Sequence, residues 1–408
     1  MAAGRVPETE HSHEEGTIML RFKIGIWVAL SAAVVLIASP AVAAAGWAIV
    51  PVPPTGQNAF LSGVSAVSTS DAWAVGSENA ELNGVGAKPV IDNWNGTAWS
   101  QVSAPATAGN TASLAAVSAS SPTDAWAVGH TQVNRSSIAG LTMHWNGTAW
   151  TTVPAFNYVY ANALVSVADI SPADAYAAGD SSSTAQGFIE QWNGTIWSLL
   201  TLPDPNNGLN TYLDAVSASS ASNVWAVGIE LTGTTAANER YQTYSLHWNG
   251  SAWAIVPMPL LTGSDHLLQY QFNSIDAISP ANVWAVGDSG DNVGEGGTPT
   301  ATVIEHYNGT RWSVVPSPSA GTAPTLTGVS ASSAGNVWAV GYDTPAGATT
   351  PQTLTLNWNG SAWSTVTSPD VGSSSVLGSV SALPGGGVQA VGYSGVAGSY
   401  NPLALENG

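Results

Sequence analysis

The segment with the clearest metal-ligand spacing is Asp288-Ser-Gly-Asp-Asn-Val-Gly-Glu. Its Asp288, Asp291, Asn292 and Glu295 place four oxygen donors among glycines. Carboxylate and amide oxygens of this kind are ligands for a hard cation such as Ca²⁺. The spacing matches neither the EF-hand loop nor the calcium-binding nonapeptide repeat, so a solvated acidic loop is the competing interpretation. We expect no cofactor apart from this Ca²⁺ site.

A second group of residues has the chemistry of recognition. Tyrosine rings stack on sugars or anchor peptides, and polar side chains fix the orientation of a ligand. We predict these residues on divergent loops of the fold described below, where binding sites are usually placed. The candidate ligand-binding residues are Tyr158, Tyr160, Tyr212, Arg240, Tyr241, Asp265, His266, Tyr270, Tyr342 and Asp343.

Three sets of polar residues recur at fixed positions, and we interpret them as structural. The Asn-Gly-[Ser/Thr] triplets match a glycosylation signal, but they predict type I′ hairpin turns in which Asn and Gly both have positive φ. A Trp-Ala-Val-Gly string recurs along the chain, as described below, and the Asp or Asn that precedes each copy predicts an Asx turn that caps a backbone N–H. A position shared by His, Asn and Gln predicts a structural hydrogen bond and no metal site. The sets begin with Asn95, Asp71 and Asn93 and end with Asn359, Asn336 and Asn357.

Established catalytic arrangements are not recognisable. The chain has no Cys, which excludes a thiolate nucleophile and a Cys-crosslinked Tyr radical site. A sialidase-like site needs three converging arginines, and Arg311 is predicted on the face of the fold opposite the divergent loops. No Ser-His-Asp order and no phosphate-binding glycine loop is present. A pair of carboxylates stays open as an enzymatic alternative, with Asp265 and Asp288 as the residues to test.

These residues lie in a sequence that repeats one unit seven times. AWAVG or a variant recurs around Trp73, Trp126, Tyr176, Trp225, Trp284, Trp338 and, degenerately, Gln389. WNG-[ST]-x-W recurs between these strings from Trp94 to Trp363. Sixteen of the 18 Trp residues fall in these positions, Trp47 lies in a remnant of the second string, and only Trp27 lies outside the repeat. The excess of tryptophan over phenylalanine is therefore produced by the repeat.

Each unit predicts four short strands, and about 50 residues per unit is typical of a propeller blade. The connections between first and second strands and between third and fourth strands are short and similar, and we call the face that carries them the uniform face. The other connections diverge and form the variable face. Residues 46–51 (GWAIVP) match the fourth strand that the last unit lacks. The sequence thus predicts an all-β, single seven-bladed propeller of four-stranded antiparallel blades over 46–408, closed by the N-terminal strand.

The first 45 residues predict a signal peptide. Arg21-Phe22-Lys23 is followed by an uncharged segment, 24–45, which ends in small residues. Met19 directly precedes the basic residues, so that 1–18 are interpreted as a mis-assigned start. We expect cleavage after Ala43 or Ala45; an uncleaved anchor is the alternative. The protein is thus predicted to be secreted or exposed on the cell surface.

The charge balance excludes several partners. Outside residues 1–45 only four basic residues remain (Lys88, Arg135, Arg240, Arg311) against 22 acidic ones, giving a net charge of −18. Binding to a phosphate backbone or an anionic membrane needs clustered Lys and Arg. We therefore predict no nucleic acid, no membrane after cleavage, and a monomer.

The pattern [DN]-[AV]-WAVG followed by [HN]-WNG-[ST]-x-W resembles bacterial secreted repeats grouped with YVTN/BNR-like and kelch-like β-propellers. The resemblance covers residues 46–408 and implies a fold, not a function, because propellers host many functions. We expect a non-catalytic propeller that binds an extracellular glycan or protein on its variable face. A polysaccharide hydrolase or lyase and a purely structural scaffold are the alternatives.

Overall fold

The computed structural model describes residues 46–408 except 54, 80–85, 108, 110, 135–136, 157–161, 182–183, 206–207, 233–239, 260–267, 292–297, 319 and 397–398. The signal-peptide predictions for residues 1–45 lie outside this part. No helix in the described ranges is long and apolar enough to cross a membrane.

The described residues form seven antiparallel sheets of four strands each, which confirms the predicted propeller. Blade 1 contains β2 (Phe60–Ser68), β3 (Asp71–Glu78), β4 (Lys88–Trp94) and β5 (Trp99–Gln101). Blade 2 contains β6 (Thr111–Ser121), β7 (Asp124–Asn134), β8 (Ser137–Trp145) and β9 (Trp150–Val153). Blade 3 contains β10 (Asn162–Ser171), β11 (Asp174–Ser181), β12 (Gln186–Trp192) and β13 (Trp197–Leu199). Blade 4 contains β14 (Thr211–Ser220), β15 (Asn223–Thr232), β16 (Arg240–Trp248) and β17 (Trp253–Val256).

The remaining blades follow the same order. Blade 5 contains β18 (Leu268–Ser279), β19 (Asn282–Asp291), β20 (Pro299–Tyr307) and β21 (Trp312–Val314). Blade 6 contains β22 (Thr322–Ser333), β23 (Asn336–Thr344), β24 (Gln352–Trp358) and β25 (Trp363–Thr365). Blade 7 contains β26 (Ser375–Ala382), β27 (Val388–Val396), β28 (Ser399–Asn407) and β1 (Ala48–Val50).

The two ends of the propeller meet in blade 7, as predicted. Strand β1 pairs antiparallel with β28, with Ile49 opposite Leu405. Trp47 is buried, and its ring centroid lies 5.4 Å from that of Trp338 in blade 6. The N-terminal strand therefore supplies both the outer strand and the tryptophan that the last repeat lacks.

Tryptophan fills the space between neighbouring blades. The ring of Trp73 in blade 1 lies 4.8 Å from Trp145 and 5.1 Å from Trp150 in blade 2. The opposite face of β3 carries the small, fully buried Ala72 and Ala74. A large face packs on a small face around the ring, and this alternation lets the blades reach interior packing density.

Every first strand contains a β-bulge opposite the glycine of WAVG. In blade 1 the register shifts between Leu61 and Gly63, which leaves Ser62 unpaired. A Cβ on Gly76 would lie 2.0 Å from the carbonyl oxygen of Phe60, so only glycine fits. The unpaired bulge residues are Ser62, Ala115, Val165, Asp214, Asn273, Thr327 and Gly378.

The Asn-Gly turns differ from the predicted type I′ geometry. In blade 1 a four-residue loop joins Trp94 to Trp99, and Gly96 has φ +91° whereas Asn95 does not have a positive φ. The Oδ1 atom of Asn95 instead accepts the backbone N–H groups of Thr97 and Ala98, both at 3.0 Å. The backbone N–H of Asn95 also donates to the carbonyl oxygen of Ala98 at 3.3 Å. The hairpin was predicted correctly, but the type I′ assignment is wrong, because Asn95 lacks the positive φ of that turn.

Candidate functional site

On the uniform face, the residue before each WAVG strand is hydrogen-bonded to the polar residue that precedes the third-strand aromatic. In blade 2 the Nε2 of His144 lies 2.7 Å from Oδ1 of Asp124. The other pairs are Asp71–Asn93, Asp174–Gln191, Asn223–His247, Asn282–His306 and Asn336–Asn357. The predicted structural hydrogen bond is confirmed.

The Asx-turn prediction for the first member of each pair is wrong. In the loop between β6 and β7 it is Ser121 whose Oγ accepts the backbone N–H of Thr123, at 3.3 Å. Asp124 is thereby left to receive the side-chain donors His144 and Ser120.

The histidines of this face are enclosed between an indole and an amide or carboxylate. The rings of His144, His247 and His306 stack on Trp126, Trp225 and Trp284 at centroid distances of 4.5, 4.2 and 4.3 Å. Burial lowers the pKa of His247 and His306, which favours the neutral form of each ring. They act as packing and hydrogen-bonding groups.

All six candidate ligand-binding residues that the structure describes lie near the ends of strands, not on loops. Tyr158, Tyr160, Asp265 and His266 lie outside the described residues. The remaining candidates belong to β14 (Tyr212), β16 (Arg240, Tyr241), β18 (Tyr270) and β23 (Tyr342, Asp343). The loop prediction is wrong for these residues because the ladders continue beyond the repeat motif, and the aromatic side chains of the four tyrosines also favour strands. That they bind a ligand stays a prediction.

The structure brings some of these residues together. The rings of Tyr212 and Tyr241 are 6.3 Å apart in blade 4. Tyr342 lies close enough to Tyr393 to raise its pKa, after burial and the neighbouring Tyr400. Tyr393 and Tyr400, whose rings are 4.9 Å apart, were missed by the sequence analysis. Half-buried tyrosines therefore gather at the variable ends of blades 6 and 7.

Two other candidates have different surroundings. Tyr270 lines an open groove of about 330 Å³ together with Val315 and Pro316. The Oδ2 atom of Asp343 accepts the backbone N–H of Gly321 at 2.6 Å, so this carboxylate holds the connection that precedes β22.

The structure describes only part of the predicted Ca²⁺ site. Asn292 and Glu295 lie outside the described residues, and only the backbone of Asp291 is described. Asp288 belongs to β19, where its buried Oδ2 accepts a hydrogen bond from Nδ2 of Asn273 at 3.0 Å. Among the described side chains, no group of three His, Asp or Glu residues is arranged to hold a metal ion.

A polar cavity lies on the propeller axis. It has a volume of about 270 Å³ and is lined by the first strands of all seven blades. Every bulge residue from Ser62 in blade 1 to Gly378 in blade 7 lines it, together with the hydroxyl groups of Ser166, Ser274 and Ser379. The bulges turn these residues towards the axis.

Asp214 is the one carboxylate among the described residues that line this cavity. Its Oδ2 atom is enclosed and accepts no hydrogen bond from the described residues, while the side chain of Gln271 donates to the carboxyl group. Burial raises the pKa of Asp214 well above its usual range, and the nearby Asp180 and Asp288 raise it further. Burial also raises the pKa of each of these two neighbours to about 6.

The sequence does contain a signal for Asp214, but the position of the β-bulge must be known before it can be recognised. Of the seven bulge positions, only that of blade 4 carries a carboxylate. Strict alternation assigns this residue to one of the two faces of the blade. The bulge breaks the alternation and turns the residue to the axis.

Comparisons with known proteins establish the fold alone. No protein-family model matches the chain, and no curated protein matches it in sequence. In solved structures the chain is similar to YCF48 bound to D1 peptide, with TM-score 0.51, 14% identity, and coverage of 88% of this chain and 96% of that one. It is similar to YCF48 from Cyanidioschyzon merolae, with TM-score 0.51, 14% identity, and coverage of 89% and 98%.

A third similar structure belongs to an enzyme. It is the GH74 xyloglucanase from Xanthomonas campestris, with TM-score 0.53, 12% identity, and coverage of 88% of this chain and 55% of that one. At such identities the likeness extends to the propeller architecture and no further, and the specific repeat family stays a prediction. The chain has the fold of a seven-bladed β-propeller.

Proposed function

We propose that this chain is an exported, non-catalytic propeller that binds a protein partner on its variable face, with a basic side chain of that partner seated at the axial cavity. The observation that carries the proposal is Asp214, a carboxylate that lines a polar cavity and has one oxygen without a donor from the described residues.

The electrostatics favour a cationic group. An enclosed carboxylate ionises only at a high cost in free energy unless a positive charge lies beside it. No basic side chain that the structure describes lines the cavity, whereas Asp180 and Asp288 add negative potential. A lysine or arginine side chain from a partner supplies the missing charge.

The tyrosines of the variable face suit the flanking residues of such a partner. Tyr212 with Tyr241, and Tyr393 with Tyr400, offer half-buried rings at two places around the axis. Tyrosine contributes a large apolar area and a polar tip, a combination that is enriched at binding interfaces. YCF48, which shares only the fold with this chain, has been captured with a peptide, so the architecture accommodates that class of ligand.

The test uses fluorescein-labelled peptides of one sequence with lysine, Nε-acetyl-lysine or glutamate at the central position. Fluorescence anisotropy with the full chain is expected to show the lysine peptide binding at least about tenfold more tightly than the other two. Asp214→Asn removes that preference, whereas Asp370→Asn, the same change at an exposed carboxylate, preserves it. Equal binding of the three peptides, or no binding, contradicts the proposal.

The same preparation separates the alternatives. Release of reducing ends from soluble polysaccharides, abolished by Asp214→Asn or Asp288→Asn, would make the chain a hydrolase or lyase. Binding of glycans but not of peptides would leave a glycan-binding face. The absence of all three activities would leave a scaffold.

Export is tested separately. Mass spectrometry of the protein recovered from the culture medium is expected to give an N-terminus at Ala44 or Gly46. An intact 24–45 segment contradicts cleavage.

A further inference from the structure

A separate cavity opens between blades 1 and 2 on the uniform face. It has a volume of about 450 Å³, and its lining includes Asp71, Trp73, Asn93, Asn95 and Trp145. We propose that this cavity binds a neutral pyranose ring of a glycan, with Trp145 as the stacking surface and Asp71 and Asn93 as acceptors for its hydroxyl groups. The site is independent of the proposed function, because it lies on the opposite face.

In blade 2 the corresponding aspartate has all its acceptor atoms hydrogen-bonded to residues of the same blade. His144 lies 2.7 Å from Oδ1 of Asp124 and stacks on Trp126. Ser120 donates its hydroxyl to Oδ2 of the same carboxylate at 2.6 Å. Both oxygens of Asp124 are therefore used within the blade.

Blade 1 differs at two positions, and both differences release an acceptor. Asn93 replaces the histidine, and Val67 replaces the serine. The Nδ2 of Asn93 donates to Oδ1 of Asp71 and to the carbonyl oxygen of Ala72, each at 3.2 Å. Within the described residues no donor reaches Oδ2 of Asp71 or Oδ1 of Asn93. Two oxygen acceptors consequently line one cavity without a partner.

Trp145 provides a rigid apolar wall beside these acceptors. Its Nε1 donates to the carbonyl oxygen of Pro122 at 3.0 Å, and its ring lies 4.8 Å from that of Trp73. The side chain is half-buried and lines the cavity. A pyranose has C–H groups that stack on an aromatic face and hydroxyl groups that donate to oxygen acceptors, which matches this combination. Ligand pockets are typically about 300–1,000 Å³ in volume, and the cavity falls in that range.

The charge and the repeat narrow the proposal. The Asp71 carboxylate repels an anionic sugar, so a neutral ring is the expected ligand. Among the six blades with this pair, only blade 1 combines Asp with Asn. Blade 6 pairs Asn336 with Asn357, and the next blade has Asn407 where a third-strand tryptophan would stand.

The test is calorimetric titration of the full chain with the methyl glycosides of glucose, galactose, mannose and N-acetylglucosamine, with glucuronate as the anionic comparison. At least one neutral glycoside is expected to bind, and glucuronate is not. Asn93→His, which installs the residue of blade 2, is expected to weaken that binding at least about tenfold. Asn357→His makes the same change in blade 6 and is expected to leave binding unchanged.

Val67→Ser is a second test variant that does not introduce a histidine, so that a loss of binding cannot be caused by the imidazole ring alone. It supplies the donor that blade 2 has and is expected to weaken binding while the thermal midpoint of unfolding stays equal or rises. The proposal is overturned if no neutral glycoside binds the unmodified chain. It is also overturned if the Asn93→His and Asn357→His variants bind the glycoside with equal affinity.

Discussion

Asp124 on the uniform face and the carboxylates buried inside the ring have opposite surroundings. Asp124 on the uniform face accepts hydrogen bonds on both oxygens, from His144 and Ser120. Asp92 and Glu305 are buried between blades, and among the described residues no donor reaches either oxygen of Asp92 or Oε2 of Glu305. Asp214 at the axis shares this deficit at Oδ2.

Asp124 is part of a hydrogen-bonded pair that recurs in six blades, whereas the acids buried between blades occupy positions that are apolar in other blades. The interblade carboxylates stand two residues before the third-strand aromatic in blades 1, 3 and 5, as Asp92, Glu190 and Glu305. The same position carries Met143, Leu246, Leu356 and Leu405 in the other blades. The fold therefore does not require an acid at this position. Burial raises the pKa of Asp92 and Glu190 to about 7 and that of Glu305 to about 8, which favours the protonated form of each.

The largest effect is expected from breaking the network of the uniform face. Trp225 is fully buried, stacks on His247 and donates from Nε1 to Oδ1 of Asn223 at 3.0 Å. Trp225→Ala is expected to lower the free energy of unfolding by about 4 kcal/mol. Urea denaturation measures this. Ile196→Ala, on an exposed turn of the same face, is the control and should change it by less than about 0.5 kcal/mol.

A smaller effect on the free energy of unfolding is expected from the buried acids, whose ionisation at high pH destabilises the folded protein. Burial raises the pKa of Glu305 to about 8 and that of Asp92 to about 7, with Glu78 also raising the latter. A raised carboxyl pKa stabilises the folded state fully below the pKa of the unfolded chain, and this stability is lost as the pH rises through the folded pKa. The free energy of unfolding should thus fall between about pH 5 and about pH 8.

Glu305→Leu, which copies the residue of blade 4, tests this dependence. The fall in unfolding free energy over that pH range is expected to shrink by about 3 kcal/mol, an order-of-magnitude figure. Urea denaturation at several pH values measures it, with Glu406→Gln at a half-buried position of β28 as the control. An unchanged pH dependence in Glu305→Leu would show that this carboxyl group is ionised in the folded protein.

The smallest effect concerns one turn of the uniform face. Asn95→Ala removes the acceptor for two backbone N–H groups, and the free energy of unfolding is expected to fall by about 1 kcal/mol. Asn95→Asp retains the acceptor and should be close to neutral. A loss in Asn95→Asp as large as that in Asn95→Ala would assign the effect to something other than the hydrogen bonds.

The repeat made the scaffold predictable and left the exceptions hidden. WAVG, WNG and the unmatched strand at 46–51 predicted seven blades and their closure, because each string performs one structural task in every blade. Asp214 was not predicted, because a bulge cancels the alternation from which side-chain direction is inferred. The extension of β16 to Arg240 and of β19 to Asp291 was also missed, because strand ends depend on pairing with a neighbour and not on local sequence.

The central claim is that Asp214 receives a cationic group, and its own titration tests this most directly. The carboxyl carbon of Asp214, assigned by comparison with Asp214→Asn, can be followed by ¹³C NMR against pH with and without the lysine peptide. The free protein is expected to show a pKa well above the usual aspartate value, and the bound peptide is expected to lower it, because a nearby cation favours the ionised form. A pKa that stays unchanged when the peptide is bound would contradict the account.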